Sequence, residues 1–356
     1  MAGPSVNVLF ATNRNRVDGD KLAPFGTDVG SDLFWGTATV NDIDIQAPSS
    51  GKISGFRDGF TAGAPATADL DPILTSTNDV LVFIHGAAND FTDSITRAAY
   101  NRTWLAASGL QNSTFDVIAF SWPARSYFIA NIVGDYFDYR ADQRAAEGSA
   151  QQLSAFLGQI DNLRFLLRQG PRRRRLNLLC HSMGNYALGW ALPSFLNNAN
   201  LGGRTYNAAR GDYLFDEVVL AAADEDAATF AAPNGDRLSR LREVGREITV
   251  YFNNDDLAMD LSHLVNGDYR LGYDGPANTS DTAFFPTAIY EFVDSTGVND
   301  YISGPLQAPD RSHQYYRQSP TVRADIVASL AGFTPVRPVF DPVTNVYTLF
   351  PPAPST

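Results

Sequence analysis

The apolar positions of the chain fall into short runs, with helical patterns between them. Val80–Ile84 (VLVFI) is unbroken, as a central strand covered on both faces requires. Val117–Phe120, Leu176–Leu179, Val218–Ala222 and Ile248–Phe252 are runs of the same kind. Val6–Thr12 reads as another strand, with Leu33–Val40 antiparallel to it, and Ala288–Val293 as a further one. Val339–Phe340 and Val346–Phe350 flank a turn-rich Asp341–Asn345 and predict a terminal hairpin. Leu153, Phe156, Leu157, Ile160, Leu163, Leu166 and Leu167 recur at helical spacing within Arg140–Gln169, which reads as one long helix or a pair. Thr92–Gly109 offers Ile95, Ala98, Ala99, Trp104 and Leu105 to one face. Met183–Leu196, Leu238–Val244 and Thr321–Ala331 also read as helical. Residues 41–78, rich in Gly, Pro, Ser, Thr and Asp, read as an irregular surface excursion, and 257–312 as a second one.

Strands alternating with helices predict an α/β fold: a mostly parallel central sheet with helices on both faces. No repeat and no Pro/Gly linker divides the chain. The expectation is one domain over residues 1–356, with 337–356 as terminal hairpin and tail.

Composition narrows the function classes. A net charge of −12 supplies no basic face for nucleic acid. The run Arg172–Arg175 is read as a solvated helix end, where cations suit the dipole. One cysteine forbids an intrachain disulfide and multi-cysteine zinc sites. It fits a reducing compartment, so the cytoplasm is expected, an exported form without disulfides being the alternative. Met1–Asn7 has neither the charged nor the apolar region of a signal peptide. No apolar run reaches the ~18–20 residues of a membrane span.

In open α/β sheets, ligands gather beyond the C-terminal strand ends. Those ends carry His85-Gly86-Ala87-Ala88, Ser121-Trp122-Pro123, His181-Ser182-Met183-Gly184, Asp224-Glu225-Asp226 and Asn253–Asp256. The third is the most informative. Strand, tight turn and helix, with small residues two before and two after a serine, lift the hydroxyl above the sheet. The bland alternative makes Ser182 a helix N-cap. A serine needs a base, and the base an orienting acid. Downstream stand Asp255 and Asp256, then His313. Asp256 is preferred as the acid because its strand directly precedes the one leading to His313, while Asp255 reads as a cap of the following helix. Asp224 and Asp226 are alternative acids, and His263 is the rival base. His181 is expected to point into the sheet as a satisfied core histidine, and His85 to shape its turn. A metal set of Asp224, Asp226, Asp255, Asp256 and His263 remains a rival, though no ligand spacing supports it.

Together these segments resemble the alpha/beta hydrolase superfamily, and more narrowly a bacterial alpha/beta hydrolase family of unassigned function. The narrower likeness rests on Ala11-Thr12-Asn13-Arg14, on Tyr251 running into Asp255-Asp256-Leu257-Ala258, on Arg270-Leu271-Gly272, and on His313, Tyr315, Tyr316, Ser319 and Pro320. It spans about Val8 to Leu330. The resemblance implies a serine hydrolase acting on a small-molecule carboxylic ester through Ser182, His313 and Asp256. The backbone N–H groups of Met183 and Ala87 (or Ala88) would form the oxyanion hole. His85, Ala88, Trp122 and Tyr127 are expected along the substrate pocket, with Arg125–Tyr139 as an aromatic wall or an ordinary helix. No metal or organic cofactor is implied. Thioesterase, amidase and lipase activities, or binding without turnover, are the alternatives. Cys180 departs from the small alanine or glycine usual there, and Ala87-Ala88-Asn89 from a bulkier run.

Overall fold

The computed structural model describes residues 5–17, 19, 21–125, 132–170, 172–197, 212–302 and 312–351. The chain opens with an antiparallel meander of β1 (Val6–Arg16), β2 (Phe25–Asn41) and β3 (Lys52–Ala62). After α1 (Thr67–Thr75) the βα alternation begins with β4 (Asp79–Ile84), α2 (Phe91–Ala106) and β5 (Phe115–Ser121). The pair α3 (Ile132–Gly148) and α4 (Ala150–Gln169) leads to β6 (Leu176–His181), α5 (Met183–Asn197) and β7 (Phe215–Ala221). Then come β8 (Gly245–Phe252), α6 (Leu257–Asn266), α7 (Leu271–Asp274), β9 (Tyr290–Asp294) and α8 (Pro320–Ala331). The hairpin of β10 (Val339–Asp341) and β11 (Val346–Thr348) closes the chain.

All these strands form one sheet, in the order β10-β11-β9-β8-β7-β6-β4-β5-β1-β2-β3. From β11 to β1 every pairing is parallel. Strands β4, β6 and β7 are buried at every residue, which is why their sequences are apolar without alternation. Alternate side chains feed two cores. Val82, Ile84, Leu178 and Cys180 pack with α4 and α5, while Leu81, Phe83, Leu179 and Val219 pack with α2 and α8. The stripe predicted on α4 is buried except at Leu166, which is exposed.

Four expectations are corrected. Residues 41–78 are no irregular excursion: β3 extends the meander and α1 follows it. Much of 257–312 is likewise regular, holding α6, α7 and β9, although 303–311 lie outside the described residues. Leu238–Val244 contains only a single 3-10 turn at Leu241–Glu243. The arginine run does more than end a helix. Arg174 is buried against Asp116 at 2.7 Å, and Arg175 bonds Leu330 O and Ser329 O, tying β6 to the end of α8.

Glu217 is buried in β7, where its one hydrogen bond comes from the Thr249 hydroxyl of β8 at 2.8 Å. Burial pushes its carboxyl up to about 8, with Thr249 opposing and Glu247 and Glu291 adding. The folded chain therefore keeps a proton there that the unfolded chain releases above its ordinary value. Linkage makes stability fall as pH rises from that ordinary value through about 8. Glu217→Gln should flatten this decline, read as urea midpoints at several pH values across that window. An unchanged slope would show that Glu217 is not its source.

Candidate active site

Where β6 runs into α5, Ser182 adopts a left-handed backbone with φ +53°. Such a conformation costs a non-glycine residue about 1–3 kcal/mol and persists only when its surroundings hold it. They do. Ser182 N–H donates to Ala221 O, and the Ser182 carbonyl accepts from the N–H of Asp224 and from both the N–H and the side-chain amide of Asn185. Space is equally constrained. A Cβ on Gly184 would lie 2.6 Å from His85 O and 2.8 Å from Ile84 O, and one on Gly86 would lie 2.6 Å from Ser182 Cβ. Ser182 is thus a turn residue of special geometry, beyond a simple cap. The Met183 N–H opens α5 and has no partner among the described residues.

Beside it, the loop after β4 is held peptide by peptide. Gly86 O receives His85 Nδ1–H at 2.8 Å and Asn89 Nδ2–H at 3.0 Å. Ala87 O also accepts from Asn89 Nδ2, and the Ala88 N–H donates to Asp142 at 3.0 Å. Asp142 receives the Arg125 N–H as well. Burial raises its carboxyl to about 6 despite these two donors. The Ala88 N–H is therefore occupied, while that of Ala87 has no partner among the described residues. His85 accepts the Trp122 N–H at Nε2, which fixes its proton on Nδ1. Its ring lies parallel to the indole, 5.2 Å between centroids, and burial keeps it neutral. His85 shapes its turn, as also expected, with Trp122 packed on it; at 1% and 0% exposure neither offers a ligand the pocket surface expected of it. Tyr127 and residues 126–131 of the expected aromatic wall lie outside the described residues, as do the side chains of 132–138.

Asp256 and His313, the expected acid and base, lie together. His313 Nδ1 donates to Asp256 Oδ2 at 2.8 Å. The other Asp256 oxygen caps α6 through the N–H groups of Ala258 and Met259. The capping expected of Asp255 thus falls to Asp256, and Asp255 points to solvent. Neither Ser182 Oγ nor His313 Nε2 makes a hydrogen bond among the described residues. In unliganded sites such contacts are often long and tighten on binding.

His181 is buried as expected, but its environment is the site itself. Its Nε2–H donates to the His313 carbonyl at 3.1 Å, and its ring packs between those of His313 and Tyr316. Burial, reinforced by His313, keeps it neutral. Tyr315, unmarked by sequence reasoning except through the family likeness, donates its hydroxyl to Tyr251 O and accepts the Ala222 N–H. It thereby pins the ends of β7 and β8 beside His313.

The rivals are placed elsewhere. Asp224 is buried in an ion pair with Arg270 at 2.6 Å and also receives the hydroxyls of Tyr139 and Ser262. His263 faces Asp268 O and the ring of Tyr269. No group of three His, Cys, Asp or Glu side chains able to hold a metal forms among the described residues.

Residues 65–329 match the family model described as "Alpha/beta hydrolase of unknown function (DUF900)". The chain belongs to this family. No curated protein matches. Among solved structures, the chain is similar to an acylaminoacyl peptidase from Pyrococcus horikoshii, at 11% identity and a TM-score of 0.33. The match covers 89% of this chain and 50% of that one, so this chain spans about half the length of that relative. At that level the likeness says nothing of activity. Within the family fold, the close approach at Gly184 makes one firm demand. Gly184→Ala should destabilise the protein by roughly 1–3 kcal/mol, the usual cost of overpacking, measured as a shift in urea midpoint. A neutral result would mean that β4 and α5 can separate at no cost.

Proposed function

We propose that this family member is a serine hydrolase that cleaves small carboxylic esters through an acyl-enzyme. The observation that carries the reading is the Asp256–His313 hydrogen bond, set beside a serine in a strained left-handed turn. Ser182 Oγ attacks the ester carbonyl while His313 Nε2 takes its proton. Asp256 keeps the proton of His313 on Nδ1 and stabilises the imidazolium. The leaving alcohol departs with the proton from His313. Water, activated by the same base, then releases the acid. The chemistry needs neither a metal nor an organic cofactor.

Oxyanion stabilisation falls to the N–H groups of Met183 and Ala87. The Ala87 choice follows from peptide geometry. In a trans peptide the N–H points opposite to the C=O of the same plane. Two donors fix Gly86 O on one side, so the Ala87 N–H is aimed to the other. Met183 adds the positive end of the α5 dipole. Removing one such donor typically costs about 2.7–4 kcal/mol of transition-state stabilisation. The single cysteine, buried and with its thiol pushed up by burial, supports a cytoplasmic setting.

Labelling with an active-site phosphonate, together with turnover of short-chain p-nitrophenyl esters, tests the reading. Wild type should label and turn over, with no effect of EDTA. Ser182→Ala should abolish both. Asp256→Asn should lower kcat by roughly 10⁴, since the imidazole then adopts the wrong tautomer. Labelling that persists in Ser182→Ala would overturn the assignment. Turnover of thioesters or amides in preference to esters would revise the substrate class, and labelling without turnover of any of them would indicate a binding protein.

A further inference from the structure

The Ala11–Arg14 segment has no place in the mechanism above, yet its arginine is fully buried. Arg14 leaves β1 and reaches the site's scaffold. Its Nε donates to Ser121 Oγ at 2.9 Å, one terminal nitrogen to Ala124 O and Gly26 O at 3.1 Å, and the other to Asn89 O at 2.7 Å. No carboxylate lies within ion-pair distance of it among the described residues. An unpaired buried guanidinium is costly, and burial lowers its pKa to about 9 against the pull of Asp90, Asp142 and Asp93. A structural anchor alone could be built from neutral donors.

What Arg14 holds is a residue that organises the loop. Asn89 Nδ2 bonds both Gly86 O and Ala87 O, and Asn89 O is held by Arg14. The Asn89 side-chain oxygen is buried without a partner, so its amide group is retained for its donors. From the other side Asp142 takes the Ala88 N–H. From Gly86 O to Asn89 O, the bonds seen engage Gly86 O, Ala87 O, the Ala88 N–H and Asn89 O, and none takes the Ala87 N–H among the described residues.

We propose that Arg14 is the positioning residue of the oxyanion loop: through Asn89 it aims the Ala87 N–H at the substrate carbonyl, and it sets a buried positive charge behind that loop. The proposal rests on the Ser182 ester-hydrolase reading. Arg14 touches no reacting atom. It acts on the transition state, where negative charge grows on the carbonyl oxygen, and leaves ground-state binding unchanged.

The test uses p-nitrophenyl esters and the matching thionoesters, whose sulfur accepts hydrogen bonds poorly. Wild type, Ser182→Ala, Arg14→Lys, Arg14→Met and Asn89→Ala are compared, with thermal melts to establish folding. In the Arg14 variants kcat should fall on the order of 10²-fold, the usual effect of losing one oxyanion donor. KM should stay within about twofold, and the preference for oxo over thiono substrate should shrink. Arg14→Lys, which keeps the charge but not the three-way geometry, should fall between wild type and Arg14→Met. Should the Arg14 variants not fold, Asn89→Ala decides, since it removes the two relayed donors while leaving Arg14 in place; the same shrunken preference is expected. Folded variants with an unchanged oxo-to-thiono preference would overturn the proposal, whatever their kcat. Turnover that survives Ser182→Ala would instead mark failure of the underlying reading.

Discussion

The site depends on how closely β4 and β6 let their following segments approach. Gly86 and Gly184 bring the His85 turn and the first turn of α5 to a separation that no Cβ would fit. That approach forces Ser182 into a left-handed conformation, and three donors on its carbonyl stabilise it there. The strained turn at Ser182 is thus tied to one packing constraint between parallel neighbours.

A second economy concerns Asp256. A carboxylate buried without partners would be neutralised rather than charged. Here one oxygen caps α6 and the other meets His313. The helix N-terminus therefore supplies two backbone donors and a favourable dipole to this buried side chain. His181 bonds the His313 carbonyl and Tyr315 ties the neighbouring backbone to β7 and β8, so His313 is held by four elements: α6, β6 and the ends of β7 and β8. Alternation alone could place His181 inside the sheet but could not name its partner. Alternation gave its face of the sheet, but that face is closed by His313, which lies 132 positions away in the chain.

The parallel strands were legible because burial on both faces leaves no polar positions to interrupt them. β3 was not, since an edge strand with one wet face carries Lys52, Ser54, Arg57 and Asp58 among its apolar residues and mimics a loop. The meeting of Asp256 with His313 was legible because chain order and strand ends together restrict the choices. The loop clamps were not: Asp142 reaches Ala88 across 54 positions, and Arg14 reaches Asn89 across 75. Sequence spacing carries no trace of such contacts. Only the family likeness flagged Arg14, and it flagged the residue without the reason.

Cys180 shows how a departure from a family pattern can be physically mild. A glycine two residues before the nucleophile would matter if that position needed a positive φ. Cys180 has none; the left-handed residue is Ser182. Its side chain instead points to the α4–α5 core beside Ile84 and Leu178, and its carbonyl accepts from the Asn185 amide. What the position requires is small volume between sheet and helix, which a buried thiol satisfies at little cost. The constraint that does demand glycine lies two residues after the serine, where backbone carbonyls, not flexible side chains, would meet an added Cβ. The small-x-Ser-x-small pattern is therefore asymmetric. Its first position is governed by core volume, and its last by the backbone separation between β4 and α5.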